Sequence, residues 1–204
     1  MKIFLVRHGQ TGGNLAHRHQ AVDTPLTKEG EAQAHRAATR IKELNPTHLV
    51  CSSMVRAIET ARIIGDACDL VPVTEHRFSE LNRPKKLYGN YHKSIRSLFF
   101  YAQWYLGYEN KDLLDGETYA QLRQRLKESQ AVLEAYPADA RVAVVSHSVF
   151  INLFTAHLCQ DGVLTPWQAL KAFRGVLTMP NAHIIEITFD PTAPPNTCRW
   201  MLVR

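Results

Sequence analysis

The segment Ile3-Phe4-Leu5-Val6-Arg7-His8-Gly9 places four consecutive apolar residues directly before two basic side chains and a glycine. A short apolar run bounded by polar residues is typical of a strand that is buried on both faces. The chain repeats this pattern from Arg141 to Val145, where Ser146-His147-Ser148 follows the apolar run. We therefore predict two buried strands, each of which carries a histidine just beyond its carboxyl end.

Helical segments alternate with the strand-like segments. The helix Lys28 to Leu44 follows the N-cap candidate Thr27, and the helix Met54 to Cys68 follows Ser52-Ser53, which we expect to cap it. The other predicted elements are helices at 117–136 and 149–159, strands at 48–51 and 70–73, and late strands at 183–189 and 198–203. Pro72 makes the 70–73 strand an edge strand or an irregular one.

This alternation predicts the fold class. Strands that alternate with helices form α/β folds, in which helices cover both faces of the sheet. We expect a three-layer α/β/α sandwich whose central sheet is mostly parallel, with a late antiparallel edge made by the last two strands. The length of 204 residues suits a single domain over residues 1-204.

An aromatic-rich stretch stands apart from this alternation and predicts a lid-like, helical insertion around residues 84-116. Its aromatic side chains are Tyr88, Tyr91, Phe99, Phe100, Tyr101, Trp104, Tyr105 and Tyr108. One interpretation is a lid or pocket wall. The other is an extra helix that packs its aromatic side chains onto the core, as aromatic residues at helical spacing usually do.

The composition and charge of the chain limit the classes of partner that we expect. The formal net charge is +5 and the sequence pI is about 9.1, which fits either a mildly basic surface or attraction of an anionic ligand. There is no long Lys/Arg run and no nucleic-acid motif, so we expect no nucleic-acid partner. The four apolar residues after Lys2 are too few for a signal peptide, and no apolar run approaches a membrane span. We expect a cytoplasmic protein without a membrane partner.

The chain has four cysteines, at positions 51, 68, 159 and 198. They form neither a CxxC pair nor a metal-ligand spacing, and three of them lie in apolar stretches. We therefore expect small buried thiols in a reducing compartment. The histidines His17, His19 and His35 show no ligand spacing with a carboxylate, so we expect no metal site.

Polar side chains collect at one edge of the predicted sheet, where the carboxyl ends of the strands lie and where α/β proteins bind ligands. They are Arg7 and His8 after the first strand, Arg56 in the first turn after the second, Glu80 beyond the third and His147 after the fourth. Guanidinium groups match phosphate oxygens, a neutral imidazole is a nucleophile, and a carboxylic acid can protonate a leaving alkoxide. This set supports phosphoryl transfer without a metal.

The segment Arg7-His8-Gly9-Gln10-Thr11, followed by Asn14, resembles the signature of the histidine phosphatase superfamily, which includes the cofactor-dependent phosphoglycerate mutases. Five further blocks resemble that family in the same order, and together they span most of residues 1–190. These blocks are Leu26-Thr27-Lys28-Glu29-Gly30 with Gln33-Ala34, Ser52-Ser53-Met54-Val55-Arg56-Ala57 with Glu59-Thr60-Ala61, Gly116-Glu117-Thr118 with Arg125, Val144-Val145-Ser146-His147, and Pro180-Asn181-Ala182.

The resemblance implies a role for each matching residue. It makes His8 the phosphorylated nucleophile, with Glu80 as the proton donor and Glu117 as the alternative acid. The implied phosphate pocket contains Arg7, Arg56 and His147, and Asn14 lines it. Two departures bear on the substrate: Ser79 to Pro84 differs from the mutase pattern after the acid, and Ser148 stands where glycine is usual, where it could narrow the pocket or add a donor.

Three functions are consistent with these residues. The first is a metal-independent phosphomonoester hydrolase that needs no cofactor and acts on a small phosphorylated substrate or a phosphoprotein. The second is a phosphotransferase of the phosphoglycerate mutase type, although the segment after Glu80 lacks the Tyr-Gly block and the Arg-Arg pair of the longer mutases. The third is a non-catalytic phosphate-binding module, which would have no need for a nucleophile at His8.

Overall fold

A six-stranded sheet forms the centre of the protein. The computed structural model describes residues 1–108, 115–194 and 196–203. The strands are β1 (Lys2–Arg7), β2 (His48–Cys51), β3 (Val73–Thr74), β4 (Arg141–Ser146), β5 (Ile184–Phe189) and β6 (Trp200–Leu202). Their order is β3-β2-β4-β1-β5-β6, in which the first four strands are mutually parallel and β5 and β6 are antiparallel to their neighbours.

Helices cover both faces of this sheet. They are α1 (Gly12–Leu15), α2 (Lys28–Glu43), α3 (Val55–Cys68), α4 (Ile95–Tyr105), α5 (Tyr119–Glu134), α6 (Ser148–Ala156) and α7 (Pro166–Thr178). Single 3-10 turns occur at His76–Phe78 and Lys85–Leu87.

The apolar side chains of β1 explain why helices pack on both faces of the sheet. Successive side chains of a strand point to opposite faces. Phe4 and Val6 therefore pack with α2 and α3 on one face, whereas Ile3 and Leu5 join the larger cluster formed with α4, α5, α6 and α7. All four side chains are at most 1% exposed. The predicted three-layer α/β/α sandwich with a late antiparallel edge is confirmed.

Two local expectations were wrong, and one helix was not expected. The third strand lies at Val73–Thr74 instead of 70–73, because Pro72 lacks the N–H that pairing with β2 would use. Helix α3 begins after Met54, which makes no side-chain cap, so Ser52-Ser53 do not cap it. The sequence analysis also missed α7, although Thr165, Pro166 and Gln168 form a capping box with proline at the first helical position.

Helix α4 belongs to the predicted insertion 84-116, of which residues 109–114 lie outside the described part of the chain. It buries Phe100 and Trp104 in the core and leaves Phe99 exposed. The stretch before α4 pairs by backbone hydrogen bonds with the loop that follows α1. The function of the insertion as a lid stays a prediction. The bonds run from His19 N–H to Asn90, from Gly89 N–H to His19 and from His92 N–H to His17.

The cysteines depart from the expectation of four reduced thiols. Cys159, which follows α6, forms a disulfide with Cys198, which precedes β6, and their Cα atoms are 5.3 Å apart. Their separation of 39 residues gives no local signal of pairing. Cys51 and Cys68 are free, and Cys51 is buried as expected. Within the described ranges, no helix combines the length and the apolar character needed to cross a membrane.

Candidate active site

The register of β1 and β4 places two histidines side by side. Arg7 lies opposite Ser146 at the end of this parallel pair, and the backbone N–H of His8 donates to the Ser146 carbonyl at 3.0 Å. His8 and His147 are the next residues of the two strands, and their ring centroids are 5.0 Å apart. The structure thus brings together the two histidines that the apolar runs predicted.

The hydrogen bonds of His8 define its tautomer. Its Nδ1 lies 2.7 Å from the carbonyl oxygen of Gly9, and because a carbonyl can only accept, Nδ1 carries the proton. Burial, together with the charges of Arg56 and Arg7, holds the pKa of His8 well below its ordinary value of 6.5. His8 is therefore neutral at pH 7, and its Nε2 carries a lone pair.

Gly9 is required by a close approach of α2. A Cβ atom at Gly9 would lie within 2.3 Å of the Gly30 carbonyl oxygen, and one at Gly30 would lie within 2.1 Å of the Gln10 carbonyl oxygen. The Gln10 backbone N–H also donates to the side chain of Gln33. These contacts explain why the first two sequence blocks occur together: the N-terminal turn of α2 holds the loop that carries His8.

Two buried guanidinium groups flank the histidines. Arg7 donates through Nη1 to the Met179 carbonyl at the end of α7, and Arg56, in the first turn of α3, donates through Nη1 to the Ala21 carbonyl at 3.0 Å. Burial lowers the pKa of Arg56 to about 10, against the opposing charge of Glu80. Both groups therefore remain cationic at pH 7.

Two donors of this cluster lack an acceptor. Nε of Arg7 and Nε of Arg56 are buried and have no hydrogen-bond partner among the residues that the structure describes. A buried polar group without a partner costs about 1–3 kcal/mol. An anion held among these side chains would reduce that cost and balance the two positive charges.

His147 is held by the second strand. Its Nε2 lies 2.7 Å from Ser52 Oγ, and Ser52 follows β2 directly. Burial, and then the charge of Arg56, hold the pKa of His147 well below 6.5, so the imidazole is neutral at pH 7. His147 is also the N-cap residue of α6.

The carboxylate of Glu80 sits at the N-terminus of α6. Its Oε1 accepts from the backbone N–H of Phe150 at 3.1 Å and from its own neighbour Leu81 at 3.0 Å, whereas Oε2 accepts only a longer bond of 3.3 Å from Val149. A helix N-terminus stabilises a carboxylate there. The same helix end therefore positions both Glu80 and His147, and Oε2 is the less engaged oxygen.

The alternative acid, Glu117, is occupied by an arginine. Its two carboxylate oxygens accept from Nε and Nη2 of Arg125, both at 2.7 Å, and Oε2 also accepts from the backbone N–H of Asn82. Arg125 in turn donates to the carbonyls of Arg77 and Ser79. This ion pair fastens the segment that leads to Glu80, which is a structural role.

Asn14 supports the backbone of the His8 loop. Its side chain completes the capping box of α1 with Thr11, and its Oδ1 accepts from Nδ2 of Asn181 at 3.0 Å. The same Nδ2 donates to the His8 carbonyl at 3.2 Å. Asn14 is thus linked to His8 through Asn181.

Ser148 does not direct its hydroxyl towards the two histidines and the two guanidinium groups of the site. Its Oγ donates to the Val176 carbonyl of α7 at 2.9 Å. The hydroxyl is therefore used within the fold and is not an added donor for the pocket, whereas a narrowing of the pocket by this side chain stays a prediction.

Sequence reasoning also missed Arg83. This side chain interacts electrostatically with Glu80, Arg56 and His147. Its Nε donates to the Tyr101 hydroxyl of α4 at 2.8 Å. The sequence feature that could have identified Arg83 is its position three residues after Glu80, in the segment that differs from the mutase pattern.

A groove of about 700 Å³ opens beside Glu80, but Arg7, His8, Arg56 and His147 do not line it. Its walls include Met54, Asn82 and Gln121. A second cavity of about 350 Å³ surrounds the Cys159–Cys198 disulfide and contains none of the predicted site residues.

Two imidazoles, two guanidinium groups and a carboxylate at the carboxyl edge of a parallel sheet are the chemistry of a phosphatase-type enzyme. The model of the histidine phosphatase superfamily (branch 1) matches residues 3–196. The chain belongs to the histidine phosphatase superfamily, as the sequence blocks indicated.

Curated relatives and solved structures agree with this family. The probable phosphoglycerate mutase GpmB of Yersinia enterocolitica is 33% identical over 165 residues, which cover 78% of this chain and 74% of that protein. The structure of a mycobacterial glucosyl-3-phosphoglycerate phosphatase in complex with VO3 has a TM-score of 0.77 at 25% identity and covers 99% of this chain and 96% of its own. A phosphoserine phosphatase from Entamoeba histolytica, at 21% identity and a TM-score of 0.77, covers 100% of this chain and 95% of its own and shares the fold.

Proposed function

We propose that this protein is a metal-independent phosphomonoester hydrolase that forms a phosphohistidine on Nε2 of His8. The observation that carries the proposal is the 2.7 Å hydrogen bond from Nδ1 of His8 to the Gly9 carbonyl. It fixes the proton on Nδ1, and the neutral ring has its lone pair on Nε2, as a nucleophile requires.

In this proposal Arg7, Arg56 and His147 bind the phosphoryl group. The buried Nε donors of Arg7 and Arg56, which have no partner, and the charges of the two guanidinium groups support that role. Charge stabilisation and positioning dominate phosphoryl transfer, and two guanidinium groups supply charge that a metal ion supplies in other enzymes. Asn14 lines the pocket from its side near Asn181 and keeps the backbone of His8 in place.

The reaction then has two steps. In the first, Nε2 of His8 attacks phosphorus, the bond from phosphorus to the ester oxygen breaks, and the leaving oxygen takes the proton of Glu80. In the second, the Glu80 carboxylate takes a proton from water, and the oxygen of that water displaces Nε2 from phosphorus. Inorganic phosphate and an alcohol are the products, and both catalytic groups regain their starting protonation.

The phosphoglycerate mutase reaction is the second candidate, because the 33% identical relative GpmB carries the name of a probable mutase. Two observations favour hydrolysis. The segment after Glu80 lacks the sequence blocks of the longer mutases, and the mycobacterial structure at 25% identity is named a phosphatase. A non-catalytic module is disfavoured because the nucleophile, both arginines and the second histidine are all present.

A direct assay separates these functions. The protein in excess chelator should release inorganic phosphate from an aryl phosphate, and His8→Ala should abolish the release. Chelator-sensitive hydrolysis would contradict the metal-free mechanism. Exchange of the phosphoryl group between glycerate phosphates, faster than its release to water, would make the protein a mutase.

We propose a small phosphorylated metabolite as the physiological substrate and the cytoplasm as the location. The Cys159–Cys198 disulfide counts against the second point, because such bonds are rare in reducing compartments. A panel of phosphorylated sugars, acids, nucleotides and phosphopeptides, ranked by kcat/KM, tests the first point. Alkylation of Cys159 and Cys198 in intact cells tests the second, because a reducing cytoplasm would keep these thiols available for labelling.

A further inference from the structure

A third guanidinium group, that of Arg83, is positioned beside the catalytic residues. Its charge acts on Glu80, Arg56 and His147, so it shares their electrostatic environment. Arg83 lies in the segment that leads from Glu80 into the 84-116 insertion, where the chain departs from the mutase pattern. The mechanism described above gives this residue no role.

The Arg83 side chain is fixed from one side. Its Nε donates to the hydroxyl of Tyr101 at 2.8 Å, and the ring of Tyr101 packs edge-on against Phe173 of α7, with ring centroids 5.5 Å apart. Burial lowers the pKa of Arg83, but Tyr101 and Glu80 more than offset this, and the pKa lies above its ordinary value. Arg83 is therefore a permanent, anchored cation.

The remaining donors of Arg83 are free to bind a ligand. Among residues 1–108, 115–194 and 196–203, Arg83 has no ion pair, and Tyr101 is its one hydrogen-bond acceptor. The nearby carboxylate of Glu80 is already engaged by backbone N–H groups at the start of α6. A guanidinium group with unused paired donors matches a carboxylate or a phosphoryl group.

The wall next to Arg83 carries no negative charge of its own. His19 and His92 lie with ring centroids 4.7 Å apart. Burial and the charge of Arg83 lower the pKa of both rings, that of His19 to about 3, so both are neutral at pH 7. Backbone hydrogen bonds between residues 17–19 and 89–92 hold this wall in place.

We propose that Arg83 is a specificity-determining residue that binds a second anionic group, a carboxylate or a second phosphoryl group, on the alcohol part of the substrate. This inference rests on the proposed phosphatase function and narrows it to substrates with two anionic groups.

Matched substrate series test this inference. One series consists of carboxyalkyl phosphates with one to four methylene groups, a second of alkanediol bisphosphates, and the reference series of alkyl phosphates of equal length. Wild type should prefer one member of an anionic series over its alkyl counterpart by about tenfold or more in kcat/KM. The series that shows the preference identifies the anion as a carboxylate or a phosphoryl group.

Variants assign the preference to Arg83. Arg83→Gln should abolish the preference by lowering kcat/KM much more for the anionic series than for the alkyl phosphates, and Arg83→Lys should restore part of it. Lys85→Gln, which removes an exposed positive charge from the same segment, is the matched control and should keep the preference. Tyr101→Phe should weaken the preference without removing it, because the cation stays.

Two results would overturn the inference. Equal losses for all series in Arg83→Gln would mean that Arg83 binds the transferred phosphoryl group itself or supports the fold. Wild-type hydrolysis of alkyl phosphates with no preference for a second anion would also overturn it, and would leave the proposed hydrolase function intact. Failure of that function is recognised separately, by hydrolysis that survives His8→Ala.

Discussion

The rings of His8 and His147 are neighbours, with centroids 5.0 Å apart, because β1 and β4 are parallel and Arg7 pairs with Ser146. Neither histidine depends on a flexible loop for its position, since each follows a strand whose apolar side chains are fully buried or nearly so. A site built on rigid strand ends can hold a phosphoryl group between two imidazoles without rearrangement.

Glu80→Gln should slow poor leaving groups much more than good ones. A protonated Glu80 assists departure of an alkoxide, and general acid catalysis of this kind contributes about 10²- to 10⁴-fold. We expect a loss of that size in kcat/KM for phenyl phosphate and a far smaller loss for 4-nitrophenyl phosphate. Equal losses for the two substrates would assign the proton to another group.

Glu117→Gln should lower stability and leave the leaving-group dependence unchanged. The variant removes one partner of an ion pair whose side chains are 15% and 11% exposed, and the charge of Arg125 then lacks compensation. We expect the free energy of unfolding to fall by about 2 kcal/mol or more, measured by urea denaturation. Asp161→Asn is the control, because the Lys127–Asp161 pair is exposed and its loss should be undetectable. A leaving-group effect in Glu117→Gln would return the acid role to Glu117.

The stability of the protein should fall as the pH decreases below about 6.5, the pKa of an unfolded histidine. Burial lowers the pKa of His8, His147 and His19 in the folded state, that of His19 to about 3. Below pH 6.5 the unfolded chain therefore binds more protons than the folded protein, so acid favours unfolding. Each such histidine contributes up to about 1.4 kcal/mol per pH unit in this range.

Urea denaturation at several pH values between about 7 and about 5 measures this slope. His19→Asn removes one contributor and should flatten it, whereas His35→Asn, at an exposed position of α2, should not. An unchanged slope in His19→Asn would mean that His19 is not buried in its neutral form.

Reduction of the Cys159–Cys198 disulfide should destabilise the protein. The bond closes a loop of 39 residues in the unfolded chain, and cross-links of this size contribute about 2–4 kcal/mol. A reducing agent should therefore lower the urea midpoint of wild type and leave that of the Cys159→Ser, Cys198→Ser double variant unchanged. Identical midpoints for wild type with and without reductant would show that the bond does not form in solution.

The sequence predicted the sheet edge that carries the candidate site residues because its signals are local. Val6 and Val145 end apolar runs of buried strands, and the next polar residues necessarily lie at the carboxyl edge. Arg56 was placed correctly for a similar reason, since the first turn of the helix after β2 begins at that edge.

Residues whose roles come from distant contacts were not predictable in this way. Arg83 gains its position from the Tyr101 hydroxyl, and Ser148 is oriented by the Val176 carbonyl of α7. Cys159 meets Cys198 only because the end of α6 lies near the start of β6. No local pattern of hydrophobicity or capping encodes such pairings.

Direct detection of the phosphorylated residue tests the central claim. Wild type mixed with an aryl phosphate and quenched in base within milliseconds should yield a peptide containing His8 that carries one phosphoryl group, located by mass spectrometry. The group should survive base and be lost in acid, and His8→Ala should show neither the adduct nor hydrolysis. An acid-stable adduct on another residue, or full activity of His8→Ala, would contradict the mechanism.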